Sequence, residues 1–117
     1  MTARTVAGDE IVSVRADLGD GSVEVVVSPA RVGRNDIHAY ILDKDGGLDD
    51  RYEDATLELA LPAKDIGPVD RPPVLAAPGH FQLVGTDLDL AGEWTLTITV
   101  KTDRFTEETA TVRFRVR

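Results

Sequence analysis

Alternation of apolar and polar side chains constrains this chain more than any other feature. From Trp94 onward, Trp94, Leu96, Ile98 and Val100 face one way, and Thr95, Thr97, Thr99 and Lys101 the other. A period of two describes a strand with one oily and one wet face, whereas a helix would repeat near 3.6. β-Branched threonine on the wet face favours the extended form. The same period recurs along most of the sequence, so the expected class is all-β.

Val12, Val14, Ala16 and Leu18 alternate with Ser13, Arg15 and Asp17. Gly19-Asp20-Gly21 then supplies a tight turn, and Val23, Val25 and Val27 continue the pattern as the second arm of a hairpin. A third strand is expected over Asp36–Leu42, with Ile37, Ala39 and Ile41 on one face and His38, Tyr40 and Leu42 on the other. A fourth runs from Ala55 to Leu61, after an acidic loop ending at Asp54. Pro62 to Pro73 is rich in proline and reads as an extended loop. Val74 to Leu83 holds one or two short strands broken at Pro78-Gly79, and Leu88 with Leu90 marks another. Thr102 to Glu108 reads as a polar turn around Phe105, and the last strand turns Val112, Phe114 and Val116 inward.

This spacing predicts an immunoglobulin-like, Greek-key β-sandwich of about 7–8 antiparallel strands. Residues 1–117 form one domain, since this length suits a single core and no internal repeat is visible. The expected core centres on Trp94, Leu96, Ile98, Val100, Val112 and Phe114. Trp94 is expected to anchor the two sheets; its alternative use is an exposed platform for a sugar.

Charge narrows the function. Twenty-one acidic against thirteen basic residues give a net charge of -8. Nucleic acid is therefore not an expected partner, because phosphate binding needs a concentrated basic surface. The row Arg113, Arg115 and Arg117 reads as a solvated strand face that balances neighbouring acids. No segment has the roughly 20 consecutive apolar residues of a membrane helix, so direct membrane insertion by this domain is not expected.

The chain has no cysteine, which removes disulfides, thiolate metal sites and cysteine nucleophiles. Ser13, Ser22 and Ser28 are its only serines, and none lies in a nucleophile-elbow context. The two histidines, His38 and His80, do not have zincin spacing, and no glycine-rich phosphate loop precedes a helix. Asp43-Lys44-Asp45-Gly46 begins like a calcium loop, but Gly47 and Leu48 then stand where a ligand and a glycine are required. It reads as an acidic turn. The expected domain is not an enzyme.

Four stretches together carry a resemblance. They are Ser28 to Asn35 with Ile37-His38-Ala39-Tyr40, Leu61 to Pro68, Ala77-Pro78-Gly79-His80-Phe81, and Leu90 to Trp94 running into Val100 to Phe105. Their order and spacing resemble the C-terminal extracytoplasmic, YtkA-like domain of bacterial copper-resistance proteins of the CopC/CopD type. The resemblance covers roughly Val23 to Val116. It implies an extracytoplasmic accessory domain of a copper transport or resistance membrane protein, on the periplasmic or cell-wall side and tethered to the cytoplasmic membrane. The implied partners are the parent membrane-helix domain or a copper chaperone.

His38 and His80 both lie within the matching stretches and are the candidate metal ligands. Imidazole suits Cu(II), whereas a chain with one methionine and no cysteine cannot build a soft Cu(I) site. Two other functions compete with this reading. One is a generic immunoglobulin-like adhesion or carbohydrate-binding module. The other is an enzyme that uses paired carboxylates in a cleft.

Overall fold

In the computed structural model the chain is described over residues 3–6, 11–52, 54–101 and 106–117. Among them are ten strands: β1 (Ala3–Val6), β2 (Ile11–Leu18), β3 (Gly21–Ser28), β4 (Gly33–Leu42), β5 (Asp54–Leu61), β6 (Ile66–Arg71), β7 (Val74–Ala77), β8 (His80–Leu88), β9 (Gly92–Lys101) and β10 (Glu107–Val116). One sheet has the order β1-β2-β3-β4-β8-β7, and the other β10-β9-β5-β6. All pairings are antiparallel. The chain is an all-β sandwich.

The strand order reproduces the immunoglobulin plan. Strands β3, β4, β8 and β7 occupy the places of A, B, E and D, while β10, β9, β5 and β6 occupy those of G, F, C and C′. The Greek-key connections follow from it. The chain crosses between sheets after β4, after β6 and after β8, and the pairs β4·β8 and β5·β9 join strands that are not consecutive in the chain. Strands β1 and β2 extend the first sheet beyond its usual edge, and β2 lies against β10 of the other sheet.

Inward residues alternate as the pattern predicts. Val23, Val25, Val27, Ile37, Ala39 and Ile41 from the first sheet meet Leu57, Leu59, Leu61, Leu96, Ile98 and Val100 from the second, all buried. Trp94, Val112 and Phe114 are buried as well. The indole Nε1–H of Trp94 donates to the Leu90 carbonyl at 3.0 Å. An immunoglobulin-type sandwich often ties this corner with a tyrosine hydroxyl bonded to upstream backbone. Here tryptophan makes the equivalent tie, which leaves no exposed aromatic platform at residue 94.

Several expected boundaries differ from those observed. The described residues form ten strands rather than seven or eight, and the sequence pattern does not show β1. The stretch Pro62–Pro73 is not a plain loop: Pro62–Lys64 forms one 3-10 turn, and Ile66–Arg71 is a strand paired with β5. Proline is tolerated there because β6 is an edge strand, and the register shifts between Leu59 and Leu61. Gly67, at φ +80°, has no room for a side chain, since a Cβ would come within 2.5 Å of the Leu59 carbonyl.

Leu88 does not begin a separate strand. It ends β8, and Leu90 lies in the corner beyond it. Strand β4 starts earlier than expected, at Gly33, and Glu107 and Glu108 belong to β10 rather than to a turn. Thr102 to Phe105, Met1-Thr2 and Glu53 lie outside the described residues.

Two polar anchors shape the loops. Buried Asn35 accepts the Ala30 N–H at 2.7 Å through Oδ1 and donates through Nδ2 to the Arg31 and Gly33 carbonyls. Buried Asp49 is gripped by Arg51, at 2.7 Å to Nη2 and 2.9 Å to Nε. That side-chain hydrogen bond holds the Asp49 carboxyl below the ordinary carboxylate range, against the opposing pull of burial.

The Trp94 tie has a measurable consequence. Trp94→Phe removes the bond to Leu90 and is expected to cost about 1–3 kcal/mol. Trp94→Ala also opens a cavity and is expected to cost about 3–5 kcal/mol. Urea unfolding of the two variants against wild type checks the order.

Candidate functional site

Neighbouring strands β4 and β8 bring the two histidines together. Tyr40 is directly opposite His80, and His38 is opposite Gln82. His38 and His80 are therefore diagonal neighbours on the same outer face, a separation that aromatic side chains can bridge. The turn before β8 sets the position of His80. Gly79 has φ +76°, and its carbonyl accepts the Ile41 N–H at 2.8 Å. A Cβ at Gly79 would come within 3.0 Å of the Asp49 carbonyl oxygen, so this approach requires glycine.

His38 Nδ1 lies 2.9 Å from His80 Nε2. One nitrogen carries the shared proton and the other accepts it; either tautomer satisfies the geometry. Tyr40 stacks on His80 with ring centroids 4.4 Å apart and planes 17° from parallel. The two imidazole centroids are 5.1 Å apart at 33°. All three rings are half-buried. Burial, and then the nearby charge of His38, lowers the pKa of His80 below the usual imidazole range.

The sequence pattern placed His38 and Tyr40 on one strand face. The contribution of Tyr40 as a stacking wall for His80 becomes visible only with the strand order. The described residues contain no group of three or more His, Asp or Glu arranged to hold a metal. This chain therefore offers two facing imidazole nitrogens.

The other regions singled out in the sequence have different roles. The Asp43 carboxylate accepts the N–H groups of Asp45 and Gly47 at 2.9 and 3.0 Å, which makes it the organiser of its own turn. Arg113 and Arg115 are exposed on the outer face of β10. A cleft of about 330 Å³ opens beside Trp94, between Leu59, Ile66, Val69 and Leu88. Asp87 and Asp89 line its rim, but both are open to solvent rather than enclosed within it. No protein-family model, curated protein or solved structure matches this chain.

The His80 environment predicts a pH response. A lowered pKa in the folded state means that the unfolded chain takes up this proton more readily. The contribution to stability is full above the usual imidazole range and declines as pH falls below it. In metal-free protein, an NMR titration is expected to find His80 below about 6.5. In His38→Ala the midpoint should move back up, because one of its two causes is gone.

Proposed function

We propose that this domain is a non-enzymatic binding module that takes one Cu(II) ion between His38 and His80. The 2.9 Å separation of the two ring nitrogens carries the reading. Metal–imidazole bonds are about 2.0–2.1 Å long. Two such bonds at a right angle span about 2.9 Å, and at a tetrahedral angle about 3.3–3.4 Å. The observed spacing matches adjacent corners of a square plane, the arrangement that Cu(II) favours with nitrogen ligands.

In this reading the strand pair presets the ligands, and Tyr40 limits the rotation of the His80 ring. A metal held there would require the ring that carries the shared proton to hold it on its other nitrogen instead, so that both facing nitrogens present lone pairs. The resemblance in the four sequence stretches then supplies the setting. The domain would be an extracytoplasmic accessory part of a copper transport or resistance membrane protein, presenting copper to its membrane segment or to a chaperone.

The metal assignment predicts saturable Cu(II) binding by wild type. The double variant His38→Ala, His80→Ala should lose more than the roughly 10–100-fold that loss of a supporting contact costs. Equal affinities in a calorimetric titration would sink the assignment. The setting predicts membrane helices in the full-length gene product, and a parent gene without them would remove that part of the reading.

A further inference from the structure

The two candidate ligands are not held alike. His38 sits in mid-strand, between Val26 of β3 and Gln82 of β8, and both ladders continue on either side of it. His80 is the first residue of β8, and its ladders to β4 and β7 both end there, at Tyr40 and Ala77. Its position therefore depends on the Pro78-Gly79 turn that delivers it.

That turn rests on a loop from elsewhere in the chain. The Ile41 N–H donates to the Gly79 carbonyl at 2.8 Å, and the Ile41 carbonyl accepts the Asp49 N–H at 2.8 Å. Gly79 lies so close to Asp49 that a Cβ would come within 3.0 Å of its carbonyl oxygen and 3.2 Å of its nitrogen. Past that point β4 is bridged by the loop, Leu42 to Leu48, rather than by β8.

The Asp49 side chain holds this part of the loop in place. It is buried. Its Oδ1 accepts the Arg51 N–H at 3.1 Å and Nε at 2.9 Å, and its Oδ2 accepts Nη2 at 2.7 Å. An aspartate bonded to the backbone two residues on closes an Asx-turn, which sets the local direction of the chain. The guanidinium also lies over the Tyr52 ring, with Cζ 5.5 Å from its centroid, and Tyr52 belongs to the core. Contacts thus run from the core through Tyr52, Arg51 and Asp49 to Gly79, the residue before His80.

We propose that Asp49 is a positioning residue for the histidine site: gripped by Arg51, it seats the turn that sets His80 against His38. The effect on metal affinity rests on the copper reading above; the effect on the ring hydrogen bond does not. Asp49 is not itself a ligand, because Arg51 engages both of its carboxylate oxygens. A site needs its ligands within about 0.5 Å of the productive geometry. Partners that orient a metal ligand are worth about 10–100-fold in affinity.

Crystal structures of the metal-free intact chain, with calorimetric titration of copper(II) chloride, test the inference in wild type, Asp49→Ala and Asp49→Asn. In Asp49→Ala the two ring nitrogens should separate beyond the hydrogen-bond range of about 3.2 Å. Copper affinity should fall about 10–100-fold although both histidines are intact. Asp49→Asn keeps an acceptor for the Arg51 N–H and should fall between; it also serves where the alanine variant fails to fold. Trp94→Phe controls for lost stability, since it loosens the corner after Leu88, at the far end of β8 from His80. It should leave the ring separation and the affinity at wild-type values. An unchanged ring separation in the Asp49 variants would overturn the proposal, and so would an equal disturbance in Trp94→Phe. Rings that lie apart in wild type would overturn it too. If wild type binds no copper, the copper reading fails, and the ring separation alone decides the role of Asp49.

Discussion

Burial of inward-facing side chains between two sheets is the constraint on which everything else here depends. Ile37, Ala39 and Ile41 are fully enclosed, as are Leu96, Ile98 and Val100 opposite them. Because side chains alternate strictly along a strand, slipping β4 by one residue would expose that whole row and bury His38 and Tyr40 instead. At about 25 cal/mol per Å² of apolar surface, such a slip would cost many kcal/mol, comparable with the stability of a whole domain. The core therefore fixes the register, and the register fixes what appears on the outside.

The histidine pair is a product of that fixed register. Neither ring is carried by a loop. Two regular strands hold the rings, Gly79 sets the entry into one of them, and the Tyr40 ring packs against His80. Sites on strands are held more firmly than sites on loops, because ladder hydrogen bonds and buried neighbours oppose displacement. A metal that binds there would meet nitrogens already near their final separation, and would have to break the hydrogen bond that they share.

The immunoglobulin plan explains the ends of the molecule as well. The corner between β8 and β9 is tied by the Trp94 indole, and the loop between β3 and β4 by Asn35. Both residues lie inside stretches that drew notice in the sequence. Their observed hydrogen bonds are architectural. Asn35 has its oxygen and nitrogen occupied by loop backbone, and Trp94 has its only polar atom committed. Only the histidines within those stretches present nitrogen to each other at the surface.

Much of this was determined by the sequence alone. Period-two patterning set the class, the inward rows of β2 to β5, β9 and β10, and the shared outward face of His38 and Tyr40. Those features depend on which side of a pleat a residue occupies, and that is local. The sequence was less informative about β6, because prolines hide a strand that only its edge position permits, and about β8, whose glycine at residue 85 and aspartate at residue 87 resemble an ending. Whether residues 38 and 80 would meet could not be read locally at all. They are separated by 41 intervening residues and three other strands. Their meeting follows from the pairing of β4 with β8, which is decided when two sheets choose neighbours that close one common core.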